Sequence, residues 1–414
     1  MPAQPAAEAK VFLHIGEPKT GTTFIQQVMW GNRAELAAQG VVLPGHHPQD
    51  HFRASQDLRG IEKLPTDPAG SWTGEWEILA SQAQQPGKTA VISHELFSAA
   101  DVAQAGRAVR SLQPAEVHIV LTVRDIATLL PAEWQETVKH RNTRSWEDWL
   151  GDVIDRESVD ADRRQWWFWR VHDTMAILQL WAEHVPPERI HVITTAPRGS
   201  ASGLLWERFA AVLGIDPGSA DLSRARPNAS LGMAETEFLR RLNEALPGRD
   251  EIPDWFYMWN VKETVAHRAL AGRGGGARLV LPADRDAWAK EQSETLIASL
   301  RSCGYDVVGD LDDLRPPQIT EPPVSPSDQP AGQMLDAAVQ AAAALVVNQY
   351  QRQNRAARPP EPRGRGLSDR IEAAIARSPR IKRAVREFSS RYPAVRRLRV
   401  LAWQALERTR TRGR

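Results

Sequence analysis

Gly16-Glu17-Pro18-Lys19-Thr20-Gly21-Thr22-Thr23 follows a short apolar run, Val11–Ile15, and leads into a helical pattern from about Thr22 to Ala38. A strand, a glycine-containing turn and a helix start gather backbone N–H groups around one point, and the helix dipole adds about half a positive charge there. That arrangement favours an anion, phosphate being the usual one. Thr22 and Thr23 can cap the helix or bond a phosphate. Capping alone requires neither Lys19 nor the two flanking glycines. In an ordinary nucleotide-triphosphatase loop the lysine directly follows the second glycine. Here Lys19 precedes Gly21 by two residues and Thr22 occupies the lysine slot. A P-loop kinase reading is weakened at its most important residue, and no obvious acidic pair for Mg²⁺ accompanies it.

Working outward, the same strand-then-helix alternation recurs. Thr89–Ser93, Val117–Val123 and Ile190–Thr194 read as buried strands, each followed by a helical pattern. Such alternation predicts an α/β fold: a three-layer P-loop-like domain with a central parallel sheet flanked by helices, plus a helical C-terminal extension. Ligands in such sheets bind at the carboxyl ends of the strands, where Gly16–Thr23, His94-Glu95 and Arg124-Asp125 all fall. Beyond Asn228 the pattern is mainly helical. Boundaries are expected at 10–315 for the main domain, 316–330 for a Pro/Ser/Asp-rich linker, and 331–414 for the basic extension.

The phosphate loop resembles that of the PAPS-dependent sulfotransferases, whose 5′-phosphosulfate loop is Pro-Lys-(Ser/Thr)-Gly-Thr-Thr; Pro18, Lys19, Thr20, Gly21, Thr22 and Thr23 match it throughout. With the Ser93-His94-Glu95 and Val123-Arg124-Asp125 strand ends and Leu205–Phe209, the chain looks most similar to bacterial, particularly actinobacterial, members whose acceptor is unassigned. The resemblance runs from about Lys10 to Leu314. It implies 3′-phosphoadenosine 5′-phosphosulfate (PAPS) as co-substrate, a sulfated hydroxyl or amine as product, and no metal. It also implies that Lys19 neutralises charge growing on the leaving phosphate and that Arg124 grips the 3′-phosphate with its planar fork. In the family a serine eight positions after that arginine shares the phosphate, whereas this chain has Ala132. The loss is expected to weaken binding by about 1–2 kcal/mol unless Gln135 or Thr128 substitutes. Asp125 reads as a structural partner or helix cap. An Asn228-x-Ser230 segment resembles one near the nucleotide in carbohydrate-type and bacterial members; as an alternative, it caps the following helix.

Transfer needs a group to accept the acceptor's proton. His94 is preferred as base, with Glu95 orienting or replacing it. Of the 15 tryptophans, Trp134 on the helix after Arg124 is the candidate for acceptor binding. The acceptor is accordingly expected to be a bulky, partly apolar small molecule or carbohydrate. A non-catalytic nucleotide-binding or scaffold protein of the same fold is the alternative, given weight by Ala132.

Cationic residues exceed anionic ones by one, but the stretch from Glu361 onward holds 16 basic and 5 acidic residues, which leaves the body acidic. On charge the body does not look like a nucleic-acid binder; the basic tail reads as solvated helices packed on the acidic body or as a contact for an anionic membrane surface or an acidic partner. A single cysteine, Cys303, with no basic-apolar leader and no long apolar run, points to a cytoplasmic protein.

Overall fold

The structure, a computed structural model, describes residues 8–61, 72–155, 165–197, 199–201, 203–225, 230–273, 278–318 and 325–357. The chain divides into two compact units, Met1–Val346 and Val347–Arg414. The described part of the second, 347–357, is helical. The basic tail lies outside the described residues.

The first unit is built on one parallel sheet of six strands: β1 (Lys10–Gly16), β2 (Val41–Val42), β3 (Thr89–Ser93), β4 (Glu116–Val123), β5 (Ile190–Thr194) and β6 (Asp306–Val308). Their order is β2-β3-β1-β4-β5-β6, and every neighbouring pair is parallel. Strand alternation sends Val11, Leu13, Ile92, Ile119, Leu121 and Val192 into a core on one face, with helices Val102–Ser111, Thr174–Ala182 and Asp286–Ser302 packed over it. Phe12, Val91, Val120 and Ile193 enter a core on the other face, under helices Thr22–Gly31 and Leu204–Leu213. Helices on both faces of a parallel sheet make the three-layer α/β fold expected from the alternation.

A third core lies away from the sheet. Helix Ile126–Lys139 contributes Leu130, Trp134 and Val138, which join Leu239, Tyr257, Val261 and Val265. Tyr257 ends the short helix Asp254–Tyr257, which continues as the π-helical segment Met258–Leu270. Ala337 and Ala341 of helix Ala331–Ala357 also lie in this core. Among the described residues no helix is long and apolar enough to cross a membrane.

The strand order positions a site. β1 and β4 are neighbours, yet the chain leaves β1 toward β2 at one edge and leaves β4 toward β5 on the other side. Such a topological switch point opens a crevice beyond the strand ends. The loop 16–23 follows β1 and Arg124 follows β4, so the two segments flank that crevice.

Candidate active site

Polar contacts from β4 and from the residue after β5 brace the loop 16–23. Thr122 of β4 donates to the Gly16 carbonyl at 3.1 Å, and Glu17 N–H donates to the Thr122 carbonyl at 3.0 Å. Thr20 donates to the Glu17 carbonyl at 2.6 Å and its oxygen lies 2.5 Å from the Thr122 hydroxyl. Thr195 donates to the Thr20 carbonyl at 2.9 Å. Thr20 is thus fully buried with its side chain turned into the fold, so it reaches an anion through its backbone alone. Lys19 has a left-handed backbone, φ 62°, uncommon for a residue with a side chain, and Gly21 follows at φ 93°. Gly21 is the N-cap of helix Thr22–Gly31, and no side chain caps that helix. Its first N–H groups keep their affinity for an anion. Thr22 is buried, while Pro18 and Thr23 are half-buried.

Arg124 reaches across the crevice, donating from Nη1 to the Lys19 carbonyl at 3.1 Å. Asp125 caps helix Ile126–Lys139 by accepting from Thr128 N–H at 2.8 Å, the structural role expected of it. Gln135 is committed to packing: its amide donates to the Leu231 carbonyl and to Thr236. It is therefore a poor replacement for the hydroxyl missing at Ala132. The Lys19 ammonium is held 2.6 Å from Glu136 Oε2, one helical turn beyond Ala132. Burial raises the Glu136 pKa, but His140 and three lysines outweigh it and hold the carboxyl well below its usual range.

The β3 end sits hard against the loop. A Cβ built on Gly16 would stand 3.0 Å from the Glu95 Cα and carbonyl oxygen, which is why a glycine ends β1. His94 Nδ1 accepts from Leu96 N–H at 3.2 Å, capping the short helix Glu95–Ala99. Burial lowers the His94 pKa, so the ring is neutral at pH 7, and with Nδ1 accepting, the proton resides on Nε2. An imidazole in that state donates from Nε2 and does not take a proton there. Glu95 has the opposite character. Burial raises its pKa, but His94, its own backbone N–H and Gln26 outweigh this and keep it ionised. Gln26, from the helix after the loop, donates to Glu95 Oε2 at 3.2 Å.

A buried cluster not foreseen from the sequence lies behind the loop. Glu17 accepts from Thr174 at 2.5 Å and faces His172 Nδ1 at 3.4 Å, while His172 Nε2 faces Glu133 at 3.6 Å. The three side chains are almost wholly buried. Burial alone would lower the His172 pKa, but the two carboxylates raise it to about 9. A charged imidazolium thus ties the loop to the helix that follows Arg124.

Trp134 does not face this site. It is fully buried, its indole N–H donates to the Arg144 carbonyl at 3.2 Å, and its ring packs against Trp146. The assignment of Trp134 to acceptor binding is therefore corrected: it is a core residue. The reason is helical geometry, since Trp134 lies about 200° around the helix from Ala132, whereas Glu136 lies about 40° from it. Exposed aromatic rings occur instead at Trp255, Phe256 and Trp259. Ser230 is exposed and Gly232 is the N-cap of helix Met233–Ala245, so Ser230 does not cap it; Asn228 lies outside the described residues.

No protein-family model matches the chain, and no curated protein sequence matches it. Among solved structures, the crystal structure of a sulfotransferase from Alicyclobacillus acidocaldarius is similar over 53% of this chain and 85% of its own, with 16% identity and a TM-score of 0.33.

Proposed function

We propose that the protein is a PAPS-dependent sulfotransferase. The observation that carries this reading is the bond from Arg124 to the Lys19 carbonyl across the β1–β4 crevice, which keeps two cations beside an uncapped helix start. Two cations and a ring of backbone N–H groups suit a nucleotide bearing phosphates at both ends. In the reaction the acceptor oxygen or nitrogen bonds to sulfur as the bond from sulfur to the bridging phosphate oxygen breaks. Lys19 leaves Glu136 to neutralise the departing phosphate. The acceptor's proton passes to Glu95, which the geometry favours over His94 because the free nitrogen of His94 already carries hydrogen. The acceptor is bulky and partly apolar, and the exposed Trp255, Phe256 and Trp259 take over the part first given to Trp134.

The test is thermal-shift titration with adenosine 3′,5′-bisphosphate against ATP-Mg²⁺, followed by ³⁵S transfer to phenols, sugars and amines. Stabilisation by the bisphosphate alone, with turnover that Lys19→Ala lowers by about 10²-fold or more, is the expected result. Stabilisation by ATP-Mg²⁺ alone would refute the proposal. Ala132 favours a second reading, nucleotide binding without transfer, and binding with no labelled product from any acceptor would support it.

A further inference from the structure

Glu136 is shared by three lysines. Its Oε2 lies 2.6 Å from Lys19 Nζ and 3.3 Å from Lys139 Nζ, and its Oε1 lies 2.8 Å from Lys262 Nζ and 3.3 Å from His140 Nε2. Lys262 Nζ also stands 2.5 Å from His140 Nε2. Among the described residues, no second carboxylate forms an ion pair with Lys19, Lys139 or Lys262. The cluster therefore carries two ammonium charges in excess of its carboxylate.

That excess is not dissolved in water. The side chains of Lys139 and Lys262 are 10% and 16% exposed. Burial lowers the Lys139 pKa, and repulsion from Lys19 and Lys262 adds to the effect although Glu136 opposes it. His267, on the same segment as Lys262, is lowered by burial and then by Lys139 and Lys262. Of the neighbouring acids, Glu133 and Glu17 hold His172, with Glu133 also feeling the charge of Lys19, and Glu263 pairs with Arg268. Half-buried like charges that share a single carboxylate are costly, and the cost falls when an anion enters.

We propose that Lys139 and Lys262, with His140, form a subsite for an anionic group on the acceptor: a carboxylate, sulfate or phosphate ester. The proposal rests on the sulfotransferase reading, and its position argues for the acceptor over the donor. The donor's phosphates belong beside Arg124 and the uncapped helix, and the Lys19 ammonium joins them only by leaving Glu136. Lys139 and Lys262 stay with Glu136, and Lys262 engages the carboxylate oxygen that Lys19 does not. The segment that supplies Lys262 begins just after the exposed Trp255 and Phe256 and includes Trp259. It thus offers an apolar surface beside a cationic one.

The test uses the full chain saturated with adenosine 3′,5′-bisphosphate and titrated calorimetrically with inorganic sulfate. Sulfate is expected to bind, with affinity at least tenfold weaker in Lys139→Gln and in Lys262→Gln. Lys290→Gln, which removes the same charge from an exposed pair with Asp286, is expected to behave like the parent. All four proteins should show the same thermal shift with the bisphosphate. Absence of sulfate binding, or equal binding in the lysine variants, would overturn the proposal. A bisphosphate shift lost in those variants would also overturn it, by assigning the lysines to the donor. No bisphosphate shift in the parent would instead reject the sulfotransferase reading, and this subsite with it.

Discussion

The Lys19 ammonium and the Glu136 carboxylate stand 2.6 Å apart, drawn from the loop after β1 and from the helix that follows β4, and each side chain is about a quarter exposed. The pair makes the lysine a shared resource. Any anion that recruits Lys19 competes with Glu136, and any charge lost from Glu136 favours the anion.

Glu136→Gln should therefore tighten binding of adenosine 3′,5′-bisphosphate about five- to tenfold, because Lys19 then reaches the phosphates without giving up an ion pair worth roughly 1 kcal/mol when partly solvated. Calorimetric titration reads this directly. Unchanged or weaker affinity would contradict the competition.

The two candidate bases are separable by substitution. Glu95→Gln should lower the transfer rate about 10²–10⁴-fold, the range for a positioned general base. His94→Asn, which keeps a side-chain acceptor for Leu96 N–H, should retain most of the turnover with little loss of stability. The reverse pattern in a ³⁵S-transfer assay would reinstate His94.

The buried histidines make stability depend on pH in two opposite ways. His172 has its folded pKa raised to about 9 from an ordinary value of 6.5. Its stabilisation is complete below pH 6.5 and disappears as pH rises toward 9. His14 and His51 are lowered to about 4 by burial, each keeping some compensating contacts. Their neutral forms favour the fold above pH 6.5, and that advantage is lost as pH falls toward 4. Urea midpoints measured from pH 4 to 9 should peak near 6.5, and His172→Gln should flatten the alkaline side only. An alkaline limb that survives this variant would show that the clamp does not bear on the fold.

Gly16→Ala should destabilise the chain by about 1–3 kcal/mol, the range for a strained backbone held in place. Gly16 has φ 111°, and a Cβ there would meet the Glu95 backbone at 3.0 Å, which cannot swing aside as a side chain could. The bisphosphate shift should fall with it, since the loop and the β3 end would part. Parent-like urea midpoints would refute this.

Much of the fold was legible because its four inner strands, β1, β3, β4 and β5, are apolar runs ended by polar residues. β2 and β6 were missed: Val41–Val42 and Asp306–Val308 are two and three residues long. Pieces so short carry no periodicity, and they become strands only because a neighbour offers a free edge. Trp134 misled because its place beside Arg124 in sequence says nothing about which helix face meets the core. Glu17 and Glu133 flank recognised positions but gain meaning only from His172, which no spacing connects to either.

Local chemistry is what the amino-acid order settled unaided: a strand, a turn that tolerates left-handed backbone, a helix start, and a lysine outside the usual nucleotide-triphosphatase position. These depend on neighbours a few residues apart, so periodicity and turn preference suffice to read them. The tertiary structure decided the state of each charge. Whether Lys19 is paired, whether His172 is protonated and whether Lys262 joins the cluster all depend on groups far off in the sequence, because Coulomb energy follows distance and burial and not order along the chain.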